Sequence, residues 1–317
     1  MLEITDLAVE YRTRSSKLRA VDQVSLKLGP KETLGIVGES GCGKSTLGRA
    51  IPNLISPPGH IVSGSIKLEG KELLRMSEKE LRKIRGKEIG VIFQDPMTSL
   101  SPVKKIKDHF LEELRAHYPD LDKEEALQKI RTLFAALGIP GERLEDYPHQ
   151  FSGGMRQRAM IGLAIALDPK LLIADEPTTA LDVIVEAQIL EEIKKLKESL
   201  NLSMILITHN LGVVAEVADK IAIMYAGRIV EFSNTLEIFE NPLHPYTKLL
   251  LKLVPNIRYE GEVSLDWIPG SPPDLSLKQV GCRFAPRCPN VFARCGREDP
   301  PLVERETGHY VACHLYA

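Results

Sequence analysis

One nine-residue run decides most of what this chain can fold into. Gly38-Glu39-Ser40-Gly41-Cys42-Gly43-Lys44-Ser45-Thr46 fits G-x-x-x-x-G-K-[ST], after an apolar run over 32–37 and before a helix-forming segment. A strand that ends in such glycines and restarts as a helix predicts a phosphate-binding loop on a parallel α/β sheet. Glycines let backbone N–H groups turn inward on phosphate oxygens, and the helix start adds positive potential. Lys44 is placed to reach the β/γ-phosphates and Ser45 to ligate Mg²⁺, with Gly38, Ser40, Gly41, Cys42, Gly43 and Thr46 completing the cradle.

A second feature supplies the chemistry. Leu171-Leu172-Ile173-Ala174-Asp175-Glu176 is an apolar strand with two carboxylates at its C-terminal edge, where ligands bind in open parallel sheets. Asp175 suits the Mg²⁺ shell, directly or through water. Glu176 is placed to polarise an attacking water as general base. Alone, the pair reads equally as a solvated strand end; the phosphate loop supplies the ligand that tips it. His209 ends the next apolar strand and reads beside Glu176 as a γ-phosphate sensor. Gln94, closing Val91-Ile92-Phe93-Gln94, is a candidate for contact with Mg²⁺ or water.

Composition sets the outer bounds. The chain has 317 residues, 43% hydrophobic and 26% charged, enough for one large domain and a small one. A net charge of −2 gives no general pull toward nucleic acid. The early acids in Met1-Leu2-Glu3-Ile4-Thr5-Asp6 argue against a signal peptide, and no apolar run approaches the ~18 residues that span a bilayer. Strands are expected over 2–11, 25–28, 65–69 and 89–94, with 2–11 and 25–28 in an antiparallel flap. Helical spacing covers 104–137 and, through Ile189, Ile193, Leu196 and Leu200, a later helix. Residues 221–225 and 228–232 flank Ala226-Gly227 as a hairpin. Past about 234 Pro and Gly become frequent, so an ATPase domain over 1–235 and an appended domain over 236–317 are expected.

Ser152-Gly153-Gly154 opens a helix with a capping serine and two glycines, a second anion site. One chain rarely needs two phosphate-binding helix starts for one nucleotide; two chains facing head to tail do. Phosphate loop, Gln94, Phe151-Ser152-Gly153-Gly154-Met155, Asp175-Glu176, Ala180-Leu181-Asp182 and His209 occur in the order of ABC-type ATPases. Over 1–235 the chain resembles an ABC transporter nucleotide-binding subunit. The resemblance implies a P-loop NTPase fold: an α/β RecA-like core with an antiparallel β flap and a helical subdomain at about 95–165. It implies Tyr11 stacked on adenine, and ATP clamped between the Lys44 loop of one subunit and Ser152-Gly153-Gly154 of another. The usual signature is LSGGQ; here Phe151 and Met155 replace its first and last residues.

The resemblance narrows further. Phe93-Gln94-Asp95-Pro96-Met97-Thr98-Ser99-Leu100, the FSGGMRQR run, Asn241-Pro242-Leu243-His244-Pro245-Tyr246-Thr247 and Ile268-Pro269-Gly270-Ser271-Pro272-Pro273 are similar to the dipeptide/oligopeptide importer ATPases, over nearly the whole chain. That implies an ATPase coupled to peptide transport, peripheral on the cytoplasmic face of the cell membrane. It implies two permease subunits, a second ATPase in a heteromeric ATP-sandwich dimer, and an extracytoplasmic solute-binding protein. Importers for nickel or glutathione are the alternative, and a soluble ABC ATPase acting on nucleic acid a more distant one. The balanced charge and the lack of coiled-coil insertions or a second cassette weigh against nucleic acid.

Of five cysteines, Cys42 sits in the phosphate loop, and Cys282, Cys288, Cys295 and Cys313 crowd the tail. Their spacing lacks a C-x₂-C pair, so the zinc-ribbon signal is weak. Four thiolates can hold zinc or an iron–sulfur cluster; free thiols are the bland reading. Arg283, Arg287, Arg294 and Arg297 surround the first three and are expected to offset a negative cluster. The family resemblance implies a [4Fe–4S] cluster on these four cysteines.

Overall fold

The computed structural model describes residues 1–12, 16–94, 100–178, 183–253, 268–277 and 279–317. The chain divides into two compact units, Met1–Leu74 with Ile207–Ala317, and Arg75–Leu206.

The first unit holds an antiparallel four-stranded sheet. Strands β1 (Leu2–Arg12), β2 (Lys17–Leu28), β4 (Gly59–Leu68) and β5 (Lys71–Glu72) lie in the order β2-β1-β4-β5. Leu2 stands opposite both Leu28 and Leu68, and Ile4 opposite Leu26 and Ile66, so alternate residues build one apolar face. The expected flap is present, and its second strand begins well before residue 25.

A second set of strands in this unit is built on β3 (Thr33–Val37), which is buried throughout. It pairs in parallel with β9 (Lys220–Tyr225), Ile36 opposite Ala222. Such continuous burial explains why both strands read as apolar runs without alternation. β9 turns into β10 (Arg228–Asn234) through Ala226 and Gly227, both at positive φ, the geometry a two-residue hairpin of matching twist requires. Beyond β10 the C-terminal residues add β12 (His309–Val311) and then β11 (Val303–Glu306). Helices α1 (Lys44–Ala50), α7 (Leu211–Val217), α8 (Thr235–Glu240) and α9 (Pro245–Lys252) complete this unit.

The second unit contains β6 (Ile89–Ile92) and β7 (Leu171–Asp175), paired in parallel, and most of β8 (Ser203–Thr208), which carries the chain back to the first unit. Helix α2 (Glu78–Ile84) opens on a full capping box, Ser77 with Glu80. The helical stretch expected over 104–137 is two helices, α3 (Ile106–His117) and α4 (Lys123–Ala136). Pro119 cannot continue a helix, and Asp122 restarts one by accepting from the Glu124 and Glu125 amides at 2.8 and 3.3 Å. Phe110 and Phe134 lock the pair edge to face, 5.3 Å apart. Helices α5 (Gly153–Ile165) and α6 (Val183–Leu200) complete the unit.

Candidate active site

The phosphate loop joins β3 to α1. Lys44 is buried, and its Nζ donates to the carbonyls of Gly38 (2.7 Å) and Glu39 (3.0 Å), so the ammonium lies over the turn of its own loop. Glycine is dictated at Gly43: φ is +105°, and a Cβ there would stand 2.1 Å from the Ala20 carbonyl oxygen. The β9–β10 turn supports the loop from beneath. The Gly227 amide donates to the Cys42 carbonyl (2.8 Å), and the Asp22 amide donates to the Gly227 carbonyl (2.9 Å). Burial pushes the Cys42 thiol up, which makes it a small space-filling residue rather than a nucleophile.

Tyr11, near the end of β1, has its hydroxyl 3.5 Å from Thr46 Oγ1, so strand and loop helix meet at the edge expected to face the base. Its ring lies against Gly59, where a Cβ would stand 2.6 Å from Tyr11 Cε1. His209 is exposed just past β8, one residue before Asn210, whose side chain accepts from Gly212 N (3.0 Å) to start α7. Those residues belong to the first unit.

In the second unit the β6–β7 pairing sets Ile92 opposite Ala174 and carries Gln94 toward the acidic strand end. Gln94 Nε2 donates to Glu176 Oε2 at 2.9 Å, so two residues 82 apart in sequence share one contact. Asp175 is 3% exposed, and Glu176 follows it at φ +46°, in the left-handed region that L residues seldom adopt. Ser152 caps α5, its Oγ accepting from the Met155 amide (3.2 Å), with Gly153 exposed beside it. Phe151 is buried under the Arg143 guanidinium, 5.5 Å from the ring centroid.

Sequence reasoning passed over Gln157. It is buried on α5, and its amide donates to the Pro177 carbonyl just past the acidic pair, coupling the Ser-Gly-Gly helix to that turn. Its signal was available: a glutamine in register with Met160, Ile161 and Ala164, all buried on one helix face. Ala180-Leu181-Asp182 and residues 95–99 lie outside the described residues.

The cysteine tail belongs to the first unit. The four thiols share a neighbourhood: the Cys282 amide donates to the Cys295 carbonyl (2.8 Å), and Cys295 and Cys313 are buried. Burial first, with the Cys295 and Cys313 thiols adding, pushes Cys282 up to about 11; Cys288 and Cys313 are raised by burial too. Among the described residues no group of three or more His, Cys, Asp or Glu side chains stands close enough to hold a metal ion. The [4Fe–4S] cluster, or the zinc, expected on Cys282, Cys288, Cys295 and Cys313 is therefore not supported by the placement of these side chains. Arg283 binds Asp22, Arg287 binds Glu39 and Arg294 binds Glu298, so three of the four are paired with carboxylates rather than held for a cluster. A cavity of about 680 Å³ borders this tail, lined by Arg228, Cys282, Phe284 and Leu302, and no residue of the loop over 38–46 lines it.

Many nucleotide hydrolases share a phosphate loop. A Ser-Gly-Gly helix start tied through Gln157 to the turn after an acidic pair narrows them to the ABC-type ATPases. Comparison with known proteins agrees. The ABC transporter family model matches residues 21–179, and the model of the oligopeptide/dipeptide transporter C-terminal region matches 230–295. The oligopeptide transport ATP-binding protein OppD of Bacillus subtilis is 48% identical over 99% of this chain and 88% of its own length. The dipeptide transport ATP-binding protein DppD of the same organism is 46% identical over 99% and 94%, and Escherichia coli OppD 45% identical over 99% and 92%. Among solved structures, the ATP-binding cassette MJ0796, in a dimeric post-hydrolysis state bound to ADP and Pi, matches at a TM-score of 0.67. It is 25% identical and covers 74% of this chain and 99% of its own. The fold is the ABC ATPase cassette. The chain belongs to the oligopeptide/dipeptide transporter family of ABC ATP-binding proteins and is an ATPase.

Proposed function

We propose that the chain powers the import of di- and oligopeptides through a membrane ABC transporter. One observation carries this reading: likeness to peptide-transport ATP-binding proteins runs through cassette and C-terminal region alike, over 99% of the chain. Among the described residues no helix is long and apolar enough to cross a membrane. Membrane work then falls to partner permeases, with this chain peripheral on the cytoplasmic side. Residues 236–317 act as the appended Cys-rich domain in this proposal.

In the proposed mechanism Lys44 and the loop amides hold the β- and γ-phosphates. Ser45 and Asp175 are hard oxygen donors of the type Mg²⁺ takes, with Gln94 as a further ligand; when bound, the ion neutralises phosphate charge. Glu176 accepts a proton from the attacking water, whose oxygen bonds to the γ-phosphorus as the bond to the bridging oxygen breaks and ADP leaves. Gln94 orients Glu176, and His209 senses the γ-phosphate. Tyr11 stacks on the adenine. Ser152, Gly153 and Gly154 complete the site of a second ATPase subunit in a heteromeric dimer, served by an extracytoplasmic solute-binding protein.

The test is uptake in cells lacking the gene. Labelled di- and oligopeptide uptake should be absent, restored by the wild-type chain and not by Glu176→Gln. Restoration of nickel or glutathione uptake instead would move the cargo. An iron–sulfur cluster on the four tail cysteines stands outside this reading; iron and acid-labile sulfide in anaerobically purified protein would bring it in.

A further inference from the structure

We propose that Arg287 is a positioning residue for the phosphate loop, through which the C-terminal segment sets how tightly the loop holds ATP. This rests on the nucleotide-site reading above and adds a residue to it. Arg287 is 6% exposed and meets Glu39, the second residue of the loop, as a fork: Nη1 donates to Oε2 at 2.6 Å and Nη2 to Oε1 at 3.0 Å. Its remaining donors are spent on fixing the fork itself. Nε donates to the Pro269 carbonyl (2.8 Å), Nη2 also to the Ile268 carbonyl (3.2 Å), and Nη1 also to the Tyr225 hydroxyl (3.2 Å).

Every polar group of Glu39 is then committed. Its carboxylate is on Arg287, and its amide donates to the Tyr246 hydroxyl at 3.0 Å. Its carbonyl accepts from Lys44 Nζ at 3.0 Å and from the Cys42 amide at 3.3 Å. Tyr246 is fully buried against Tyr225 and Phe284. An unbroken series of contacts thus runs from Arg287 through Glu39 to Lys44, the residue assigned to the phosphates. Four residues earlier Arg283 takes a second hold, on Asp22, whose amide binds the Gly227 turn beneath Cys42. A purely architectural ion pair could stand anywhere on this surface. This one neutralises a carboxylate inside a loop that must receive a polyanion, where an uncompensated negative charge would repel it.

The experiment uses the full-length chain and measures MgATP affinity with steady-state KM and kcat. Arg287→Ala should raise KM about tenfold while kcat changes much less, because ground-state holding of phosphate is what loosens. Arg287→Lys should recover only part, since an ammonium cannot fork. Adding Glu39→Gln to Arg287→Ala removes the exposed charge and should return KM to within about threefold of wild type. A folded Arg287→Ala chain with KM within about twofold of wild type, or single effects that simply multiply in the double variant, overturns the proposal. If Arg287→Ala does not fold, Tyr246→Phe removes one hydroxyl from the same grip and should raise KM about threefold; unchanged KM is again a refutation. Lys44→Ala separates the two levels: if it keeps its ATP affinity, the nucleotide-site reading fails rather than the role of Arg287.

Discussion

Gly38 has no room for a side chain. A Cβ there would stand 2.0 Å from the Met224 carbonyl oxygen and 2.9 Å from Cys42 Sγ, and backbone on β9 cannot step aside. Gly38→Ala should displace the loop and weaken nucleotide binding by about tenfold or more, read by equilibrium binding of MgATP. A second single-residue effect concerns pH. His244 is buried at the start of α9, where Nδ1 accepts from the Tyr246 amide at 3.0 Å. Burial lowers its pKa from the ordinary 6.5 to about 3, so the native state keeps it neutral. The unfolded chain takes up a proton near 6.5 and the folded one does not. Its contribution is therefore complete above about pH 6.5 and is lost as pH falls toward 3, by about 1.4 kcal/mol per pH unit at most. Urea unfolding at pH 7 and pH 5 should show a larger loss for wild type than for His244→Gln; equal losses would remove His244 as the source.

Among the elements, one carboxylate ties both β12 and the start of α9 to β10, beside the β10–β12 ladder. Glu231, fully buried on β10, accepts from the Leu243 amide (2.7 Å), the His244 amide (2.9 Å) and His309 Nε2 (2.8 Å). Glu231→Ala orphans three donors, two of them buried, and should cost about 3 kcal/mol or more in denaturant unfolding, with protease cutting first in the C-terminal region. A loss near that of an exposed carboxylate would refute the assignment. Nothing in the sequence flags Glu231, whose partners lie 12, 13 and 78 residues away. Elements that announce themselves locally were legible: β3, β7 and β9 as continuous apolar runs, the Ala226-Gly227 turn, the Ser152 cap. Breaks that depend on competition between signals were not, as at Pro119 and Asp122, where helical periodicity continues across a proline. Long-range polar pairs, such as Gln157 with Pro177 and Arg287 with Glu39, have no periodicity to betray them.

At the scale of the whole molecule, the chain is proposed to carry parts of two nucleotide sites. Lys44 and Glu176 are proposed to act on one nucleotide, while Ser152-Gly153-Gly154 is proposed to act on a nucleotide held by a facing subunit. Hydrolysis then controls assembly, because a γ-phosphate that stays in place keeps both sides engaged. Glu176→Gln keeps a side chain that can still accept from Gln94 through its amide oxygen, but it removes the proposed base. With MgATP this variant should bind nucleotide, fail to turn it over and run by light scattering at twice the 35.3 kDa mass of the chain. Adding Ser152→Arg crowds the second half-site without touching Lys44, and should return the particle to single-chain mass with ATP still bound. Normal turnover by Glu176→Gln would overturn the base assignment. A single-chain mass with ATP bound would rule out pairing of identical chains and leave the head-to-tail arrangement to the heteromeric pair. A double-mass particle that survives Ser152→Arg would place the dimer contact somewhere other than the start of α5.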